Sequence, residues 1–411
     1  EDGVNWHKPV LGLHEYNGST QNNIVHLGRG PVIKDTDEPD EARRYKGIRR
    51  IQGVTGEPEY SEYGARAVFS SDGIHWTDGA KIDPPEWGGR PPDVGVLVRD
   101  DQDPDPSRRF KTVCQEMVHI DAPHLKQKAV SERHHHKGRA KFLLYGPDTE
   151  NFRYADVNPL ISPNDGPLGE EEVHHVMMSP YRGDWIMTYE YGWNYPNGYG
   201  LYGMYGADIR LAASDDGETY TRVNGHQPLI ARGHHTQWDS GVLVISDKPV
   251  VKDGKIYLFY GGAGDDFTSW PPENTRSFDW LGSGSGGSRV VRMGLATLRE
   301  DGFTCMETID RETPGYLTSV PIVMTDRETV LSVNVGDVRQ NRSWIEVEVL
   351  DAETEEPIEG FSREDSTDCF VDDLQQAVSW GGRGISHLPA DRFKLRFWIY
   401  GAARLYGYQF A

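Results

Sequence analysis

The sequence lacks most features that would cross-link, anchor or extend a chain. Its 411 residues include three cysteines, Cys114, Cys305 and Cys369, which are odd in number and far apart. Neither a disulfide framework nor a zinc site follows from them. No run of about 18 apolar residues occurs, so no membrane-spanning helix is expected. No stretch sustains a period of about 3.6 residues, which argues against a helical fold.

Positive charge is also scarce. The chain has 43 Lys and Arg against 64 Asp and Glu, a formal net charge of −21. With no basic patch to offset this charge, we expect neither nucleic acid nor an anionic membrane as a partner. The acidity also suits solubility in a salty or extracellular setting. We therefore expect an extracellular or periplasmic protein, although no signal peptide is visible at Glu1.

Aromatic side chains and a turn motif are plentiful. The chain has 11 Trp and 20 Tyr, which suit β-strands and sugar-stacking surfaces alike. One short motif recurs five times: a polar residue, then Asp-Gly or a related pair, and then an aromatic residue. The aspartates of these copies are Asp2, Asp72, Asp148, Asp215 and Asp301. Because Asp caps its own backbone and Gly accepts positive φ, each copy predicts a tight turn between strands.

The repeat predicts an all-β fold. Three or four short strands in roughly 70 residues, repeated, are typical of β-propeller blades. After residue 314 the turn copies stop, and segments such as 345–349 and 393–399 alternate strictly, as in half-buried antiparallel sheets. We predict a five-bladed β-propeller over residues 1–314, with its first blade incomplete at the N-terminus, and a β-sandwich over 315–411. A β-sandwich with recurrent hairpin turns is the alternative for the first region.

The turn string of residues 71–76 resembles that of the five-bladed glycoside hydrolases, the invertase-like family 32 and the arabinanase-like family 43 and their relatives. Residues 90–95, 170–175 and 237–241 extend the resemblance, at the entries to the third, fourth and fifth blades. Invertase-like enzymes also carry a C-terminal sandwich. The families place a catalytic Asp on the first strand of the first blade, and this chain shows no such strand before Glu1.

The resemblance implies a glycoside hydrolase acting on an oligosaccharide or polysaccharide, such as a fructoside or arabinoside. It implies no cofactor, with a structural cation in the propeller axis left open. Two alternatives remain: a glycan-binding propeller without catalysis, and a glycoside phosphorylase of the same fold. The phosphorylase would need a phosphate subsite, for which Arg90, Arg210 and His175 are candidates. The sequence leaves the oligomeric state open.

The residues that open each blade are the candidate site residues. Inner strands of a propeller start around a central funnel, so these side chains should converge there. Glycoside cleavage needs an acid and a base or nucleophile, and crowded carboxylates push their pKa values apart. We predict Glu172 as the general acid, Asp93 as a sugar-binding or acid-tuning residue, and Asp239 as the base or a second hydroxyl ligand. The alternatives are turn residues for Asp93 and Asp239, and Glu171 in place of Glu172.

Further residues are predicted to bind substrate through hydrogen bonds or ring stacking, and none is predicted as a metal ligand. They are Asn23, Arg90, His175, His235, Trp238, Trp193 and Trp270.

Overall fold

The computed structural model describes residues 5–25, 30–51, 64–87, 93–119, 137–163, 170, 172–195, 204–223, 227–234, 237–245, 247–263 and 292–411. Contacts divide the chain into two compact units: residues 1–249 with 258–296, and residues 250–257 with 297–411. Regular structure in the described ranges is β apart from short 3-10 turns at Glu41–Arg43, Pro85–Trp87, Pro106–Arg108 and Ile385–His387. Within these ranges, no helix has the length and apolar character needed to cross a membrane.

The first unit is built from short antiparallel sheets taken in chain order. The first sheet has the order β1 (Val32–Lys34), β2 (Tyr45–Ile51), β3 (Gly64–Ser70), β4 (Thr77–Ile82). The second has the order β5 (Val94–Arg99), β6 (Phe110–His119), β7 (Lys137–Gly146), β8 (Arg153–Tyr154). Each sheet is one chain segment folded back and forth, as a propeller blade is.

The next two groups of strands share one sheet. The third group is β9 (Glu172–Tyr181), β10 (Asp184–Tyr195), β11 (Met204–Ser214) and β12 (Thr221–Arg222). The fourth is β13 (Val242–Ile245), β14 (Val250–Lys252), β15 (Lys255–Ala263) and β16 (Arg292–Arg299). A single parallel pair between β11 and β13, Ala207 with Val242, joins the two groups into eight strands.

The first strands of successive groups lie against one another. Strand β1 contacts β5, β5 contacts β9, and β9 contacts β13. This is the arrangement of inner strands in a propeller, whose sheets radiate from the place where those strands meet. The predicted all-β, propeller-type fold is therefore confirmed. The first copy of the turn motif, at Asp2, lies outside the described residues.

The repeated turns have the predicted chemistry, with one change of residue. Asp72 accepts hydrogen bonds from the backbone N–H groups two and three residues on, both at 2.8 Å, and Gly73 has φ of 76°. The fourth copy was aligned on Asp215, but the capping carboxylate is that of Asp216. It accepts the two corresponding bonds at 2.7 Å, and Gly217 follows with φ of 73°. The alignment on Asp215 was wrong by one residue because two aspartates stand side by side and only the second immediately precedes the glycine.

Substituting Gly73 by alanine is expected to lower the free energy of unfolding by about 1 kcal/mol, because a side chain strains the left-handed backbone there. The added Cβ would meet only the Tyr45 ring, at an ordinary 3.5 Å, so the cost is that of the backbone alone. Gly95→Ala is the control, since its Cβ meets nothing within 4 Å. Urea denaturation measures both variants, and equal destabilisation by the two would contradict the turn argument.

In the second unit, residues 315–410 form a two-sheet sandwich, as predicted. One sheet contains β17 (Gly315–Thr318), β18 (Ile322–Val323), β20 (Ile345–Asp351) and β22 (Arg392–Ile399). The other has β19 (Leu331–Gly336) between β21 (Asp373–Ala377) and β23 (Arg404–Phe410). Alternate residues of β22 are buried, and they share one core with residues of β19. The exact boundary between residues 314 and 315 stays a prediction.

Candidate functional site

A β-bulge between β9 and β10 brings three ionisable side chains together. The flanking ladder pairs are Tyr189 with Val176 and Tyr191 with Val173. Between them, β10 has one residue, Glu190, and β9 has two, His174 and His175. Bulges of this kind re-aim side chains and recur beside active sites. Nδ1 of His175 lies 2.5 Å from Oε2 of Glu190, and Nδ1 of His174 lies 4.0 Å from Oε1.

The bulge leaves the core pattern intact. The ladder partners on either side of it belong to one buried cluster: Val173, Val176, Tyr189 and Tyr191. Without the extra residue, the strict alternation of a strand could not keep both valines on that core face. Polar side chains of β9 and β10 lie on the opposite face of the sheet. Glu172 pairs with Gly192, two residues from Glu190, so Glu172 and Glu190 share this face.

Glu172, the predicted acid, opens β9 and is buried. Its Oε2 accepts the backbone N–H of Arg139 at 2.8 Å, and its Oε1 lies 3.1 Å from Nη1 of the same residue. Burial raises the pKa of Glu172, and this outweighs the opposing charge and hydrogen bonds of Arg139. A carboxyl group with a raised pKa retains its proton nearer to neutral pH, which is what a general acid requires.

Strand β7 contributes a buried lysine, Lys141, to the charged groups around Glu172 and Glu190. Nζ of Lys141 donates to Oε1 of Gln115 at 3.1 Å. Burial lowers the pKa of Lys141 to about 7, although the charge of Glu190 acts in the other direction. Burial also lowers the pKa of His174 well below its usual range, so this imidazole is neutral at physiological pH.

The bulge residues also have the donor types of a transition-metal site. One donor atom from each of His174, His175 and Glu190 lies within 4.8 Å of the others. Within this group, Nδ1 of His175 and Oε2 of Glu190 lie 2.5 Å apart. We therefore treat Glu190 as the hydrogen-bond acceptor of His175.

The other two predicted carboxylates also stand at the entries to inner strands. Asp93 directly precedes β5, is about half exposed, and forms an ion pair with Arg50. Asp239 precedes β13 and accepts a hydrogen bond from Oη of Tyr260 at 3.1 Å. Within the described residues, neither the ion pair of Asp93 nor the hydrogen bond of Asp239 involves Glu172.

Several predicted substrate contacts can also be placed. Trp238 stacks on Tyr260 with ring centroids 5.7 Å apart, and the guanidinium of Arg232 lies 4.6 Å from the Trp193 ring centroid. Asn23 is exposed ahead of β1. His175, another predicted substrate contact, lies at the bulge beside His174 and Glu190. Three predicted residues lie outside the described residues: Arg90, His235 and Trp270.

The structure adds three residues that sequence reasoning missed: Glu190, Arg139 and Lys141. A signal for two of them was present. Glu190 interrupts the hydrophobic and aromatic strand 185–193, and Lys141 interrupts the apolar run 140–145. Charged residues are almost never fully buried without a partner, so a charge inside a core strand indicates a functional or paired group.

Comparison with known proteins yields structural similarity alone. No family model matches the chain, and no curated protein matches it. A solved glycoside hydrolase has 13% identity and a TM-score of 0.41 over 62% of each chain. A glycosyl hydrolase from Bacteroides ovatus has 15% identity and a TM-score of 0.33, over 53% of this chain and 56% of that one.

A third similar structure is a β-1,2-mannobiose phosphorylase from Listeria innocua in complex with β-1,2-mannobiose. It has 18% identity and a TM-score of 0.31, over 50% of this chain and 47% of that one. In all three cases the match spans less than two thirds of the solved chain. Similarity at this level carries no argument about activity, and membership of family 32 or 43 stays a prediction.

Proposed function

We propose that the protein is an enzyme that cleaves glycosidic bonds, with Glu172 as the general acid. The observation that supports this most is the buried carboxyl at the entry to the inner strand β9, whose pKa is raised by burial. Protonation of the leaving oxygen is the step for which such a group is suited. The resemblance of the turn and blade-entry segments to glycoside hydrolases points in the same direction.

The surroundings of Glu172 suit it to hold and release a proton. The backbone N–H and guanidinium of Arg139 fix both carboxyl oxygens in place. The positive charge of Arg139 stabilises the carboxylate that remains after proton transfer, while burial favours the protonated form before it.

A furanoside, such as a fructoside or an arabinoside, is the proposed substrate class, and it rests on the sequence resemblance. The test is sugar release from a panel of aryl glycosides and oligosaccharides that includes furanosides and β-mannosides, with and without inorganic phosphate. Release without phosphate is the expected result. Turnover that requires phosphate would select the phosphorylase alternative, and no release under any condition would contradict the proposed activity.

For the phosphorylase alternative, Arg210 was one of three candidate phosphate ligands. Its Nε lies 2.8 Å from Oδ1 of Asp208, and its guanidinium carbon lies 3.5 Å from the Tyr191 ring centroid. An arginine that is buried and ion-paired in this way is ill suited to receive a phosphate. Of the other two candidates, Arg90 lies outside the described residues, and His175 is bonded to Glu190.

Glycan binding without cleavage is a second candidate, favoured by an aromatic surface on the sandwich. Tyr316 and Trp398 are cross-strand neighbours with ring centroids 4.8 Å apart, and Tyr316 is 61% exposed. Apolar faces of sugar rings stack on such side chains. Retardation in native gels that contain a polysaccharide, with no product release from it, would favour this function. Location outside the cytoplasm remains part of the proposal.

A further inference from the structure

We propose that Trp238 and Asp239, at the entry to β13, form a sugar-binding subsite in which Tyr260 is the positioning residue. The indole stacks on the apolar face of a sugar ring, and the carboxylate accepts a hydrogen bond from one of its hydroxyl groups. The inference rests on the proposed function for the class of ligand. It gives Asp239 a binding role, where the sequence left base and hydroxyl ligand open, and it adds Tyr260, which the sequence did not indicate.

Tyr260, on β15, contacts both members of the subsite at once. Its Oη donates to Oδ2 of Asp239 at 3.1 Å, and its ring stacks on that of Trp238, with centroids 5.7 Å apart and planes at 17°. Burial, together with the bond to Asp239, raises the pKa of Tyr260 to about 12, so the phenol keeps its proton and remains a donor at physiological pH. One buried side chain therefore orients the indole and the carboxylate together.

Three glycines from separate segments leave room for these three side chains. A Cβ at any of them would lie less than 3.0 Å from the cluster: Gly262 of β15 faces the indole, Gly233 faces Oδ1 of the carboxylate, and Gly294 of β16 faces the phenol. Backbone can approach a side chain this closely only where no Cβ intervenes. The packing from three sides indicates that the cluster is held in one arrangement before a ligand binds.

The arrangement leaves hydrogen-bonding groups for a ligand. The side chains of Trp238 and Asp239 are both partly exposed. Within the described residues, the hydrogen bond from Tyr260 occupies Oδ2 of Asp239, while Oδ1 accepts no side-chain or backbone donor and no cation pairs with the carboxylate. A carboxylate that is ordered by a neutral donor and not by a cation is suited to accept a neutral donor, such as a sugar hydroxyl.

The subsite lies at the edge of the sheet where Glu172 stands. Glu172 pairs with Gly192, Gly192 with Ala207, and Ala207 with Val242, which begins β13. This single row crosses four strands, of which β9 and β13 run in the same direction, and these two strands also contact each other. Asp239 precedes Val242 by three residues. A sugar bound there is therefore placed on the side of the sheet at which the proposed acid begins its strand.

The first test compares kinetics on the best substrate of the panel. Asp239→Ala and Trp238→Ala are each expected to raise KM by about 10-fold or more and to change kcat by less than about threefold. The reason is that a contact made equally to substrate and transition state contributes to binding alone. Asp247→Ala, an exposed aspartate beyond the other end of β13, is the control and should match the wild type.

Tyr260→Phe tests the positioning role, because it keeps the ring and removes the donor. It is expected to raise KM by about 3- to 10-fold. Added to Asp239→Ala it should cause no further loss, since Tyr260 acts through that carboxylate. Tyr257→Phe, on the same strand with its side chain on the other face, is the control. A merely structural Tyr260 would lower the thermal midpoint and add its loss to that of Asp239→Ala.

Direct binding separates this inference from the proposed function. Isothermal titration calorimetry with arabino-, fructo- and manno-oligosaccharides requires no turnover. Affinity that falls in Trp238→Ala and Asp239→Ala but not in Asp247→Ala supports the subsite, and if the protein then releases no sugar, only the proposed function fails. Unchanged affinity in both variants, or a wild-type protein that binds none of the probes, overturns the subsite. A kcat lowered by about 10²-fold in Asp239→Ala at unchanged KM would make Asp239 the base and overturn its binding role.

Discussion

Replacing Glu172 by glutamine is expected to lower kcat by about 10³-fold on substrates with a sugar leaving group. The amide has nearly the same shape, and its oxygen can still accept the backbone N–H of Arg139 that now bonds the carboxylate at 2.8 Å. It cannot donate an acidic proton. The loss should shrink for aryl glycosides with a nitrophenolate leaving group, because such a group departs without full protonation.

The pH dependence of the same variant supplies a second measurement. A general acid works only while protonated, so activity falls as pH rises through its pKa. Burial raises the pKa of Glu172, so this fall is expected at higher pH than for an ordinary glutamate. The alkaline limb that belongs to Glu172 should be absent from the residual activity of the glutamine variant.

Glu171→Gln is the matched control, because Glu171 is the alternative general acid in the acidic segment 170–172. The predicted outcome is an unchanged rate for Glu171→Gln and the large loss for Glu172→Gln. Circular dichroism and the thermal midpoint of each variant must match the wild type, since a folding defect would also lower kcat. Equal rates for wild type and Glu172→Gln on a sugar leaving group would remove Glu172 from the mechanism.

The fold could be predicted from the sequence because its determinants are local. The strand predicted at 345–349 lies within β20, and that at 393–399 lies within β22. Alternation over a few residues predicts a strand, and Asp-Gly predicts the turn that ends it. Recurrence of that turn then indicates how many times the unit is copied. The strand and turn inferences each need fewer than ten neighbouring residues.

The site was predicted only in part because its contacts are not local. The entry position of Glu172 follows from the repeat, but its partner Arg139 is 33 residues away on another sheet. The pair of His175 and Glu190 depends on a one-residue register shift between β9 and β10. Nothing in the local sequence signals that shift, since two adjacent histidines fit a regular strand as well as a bulge. The partners of Asp93 and Asp239 could not be predicted for the same reason.

The second large expected effect concerns stability, at the fully buried Lys111 on β6. Its Nζ lies 2.5 Å from Oδ2 of Asp100 and 2.8 Å from Oδ2 of Asp103, both buried carboxylates. Removing the cation leaves negative charge in the interior without its main partner, although Arg108 still contacts Asp103 at 3.0 Å. Lys111→Met keeps the length of the side chain and its apolar stem. We expect it to lower the free energy of unfolding by about 3–5 kcal/mol, the usual cost of breaking a buried ion pair.

The cost of Lys111→Met should depend on pH in a stated direction. Burial raises the pKa of Asp103, but the hydrogen bonds from Lys111 and from the backbone of Asp105 outweigh it together with the charges of Lys111 and Arg108, so the folded-state pKa is lowered. A carboxyl group with a lowered pKa stabilises the fold above its unfolded pKa and loses that contribution as pH falls through the folded value. The difference between variant and wild type in urea denaturation should therefore be largest near neutral pH and shrink in acid.

Lys81→Met, which breaks an exposed pair with Asp83 at 3.1 Å, should cost less than about 1 kcal/mol at every pH. A Lys111→Met variant as stable as Lys81→Met at neutral pH would show that the interior pair contributes no more than a surface one.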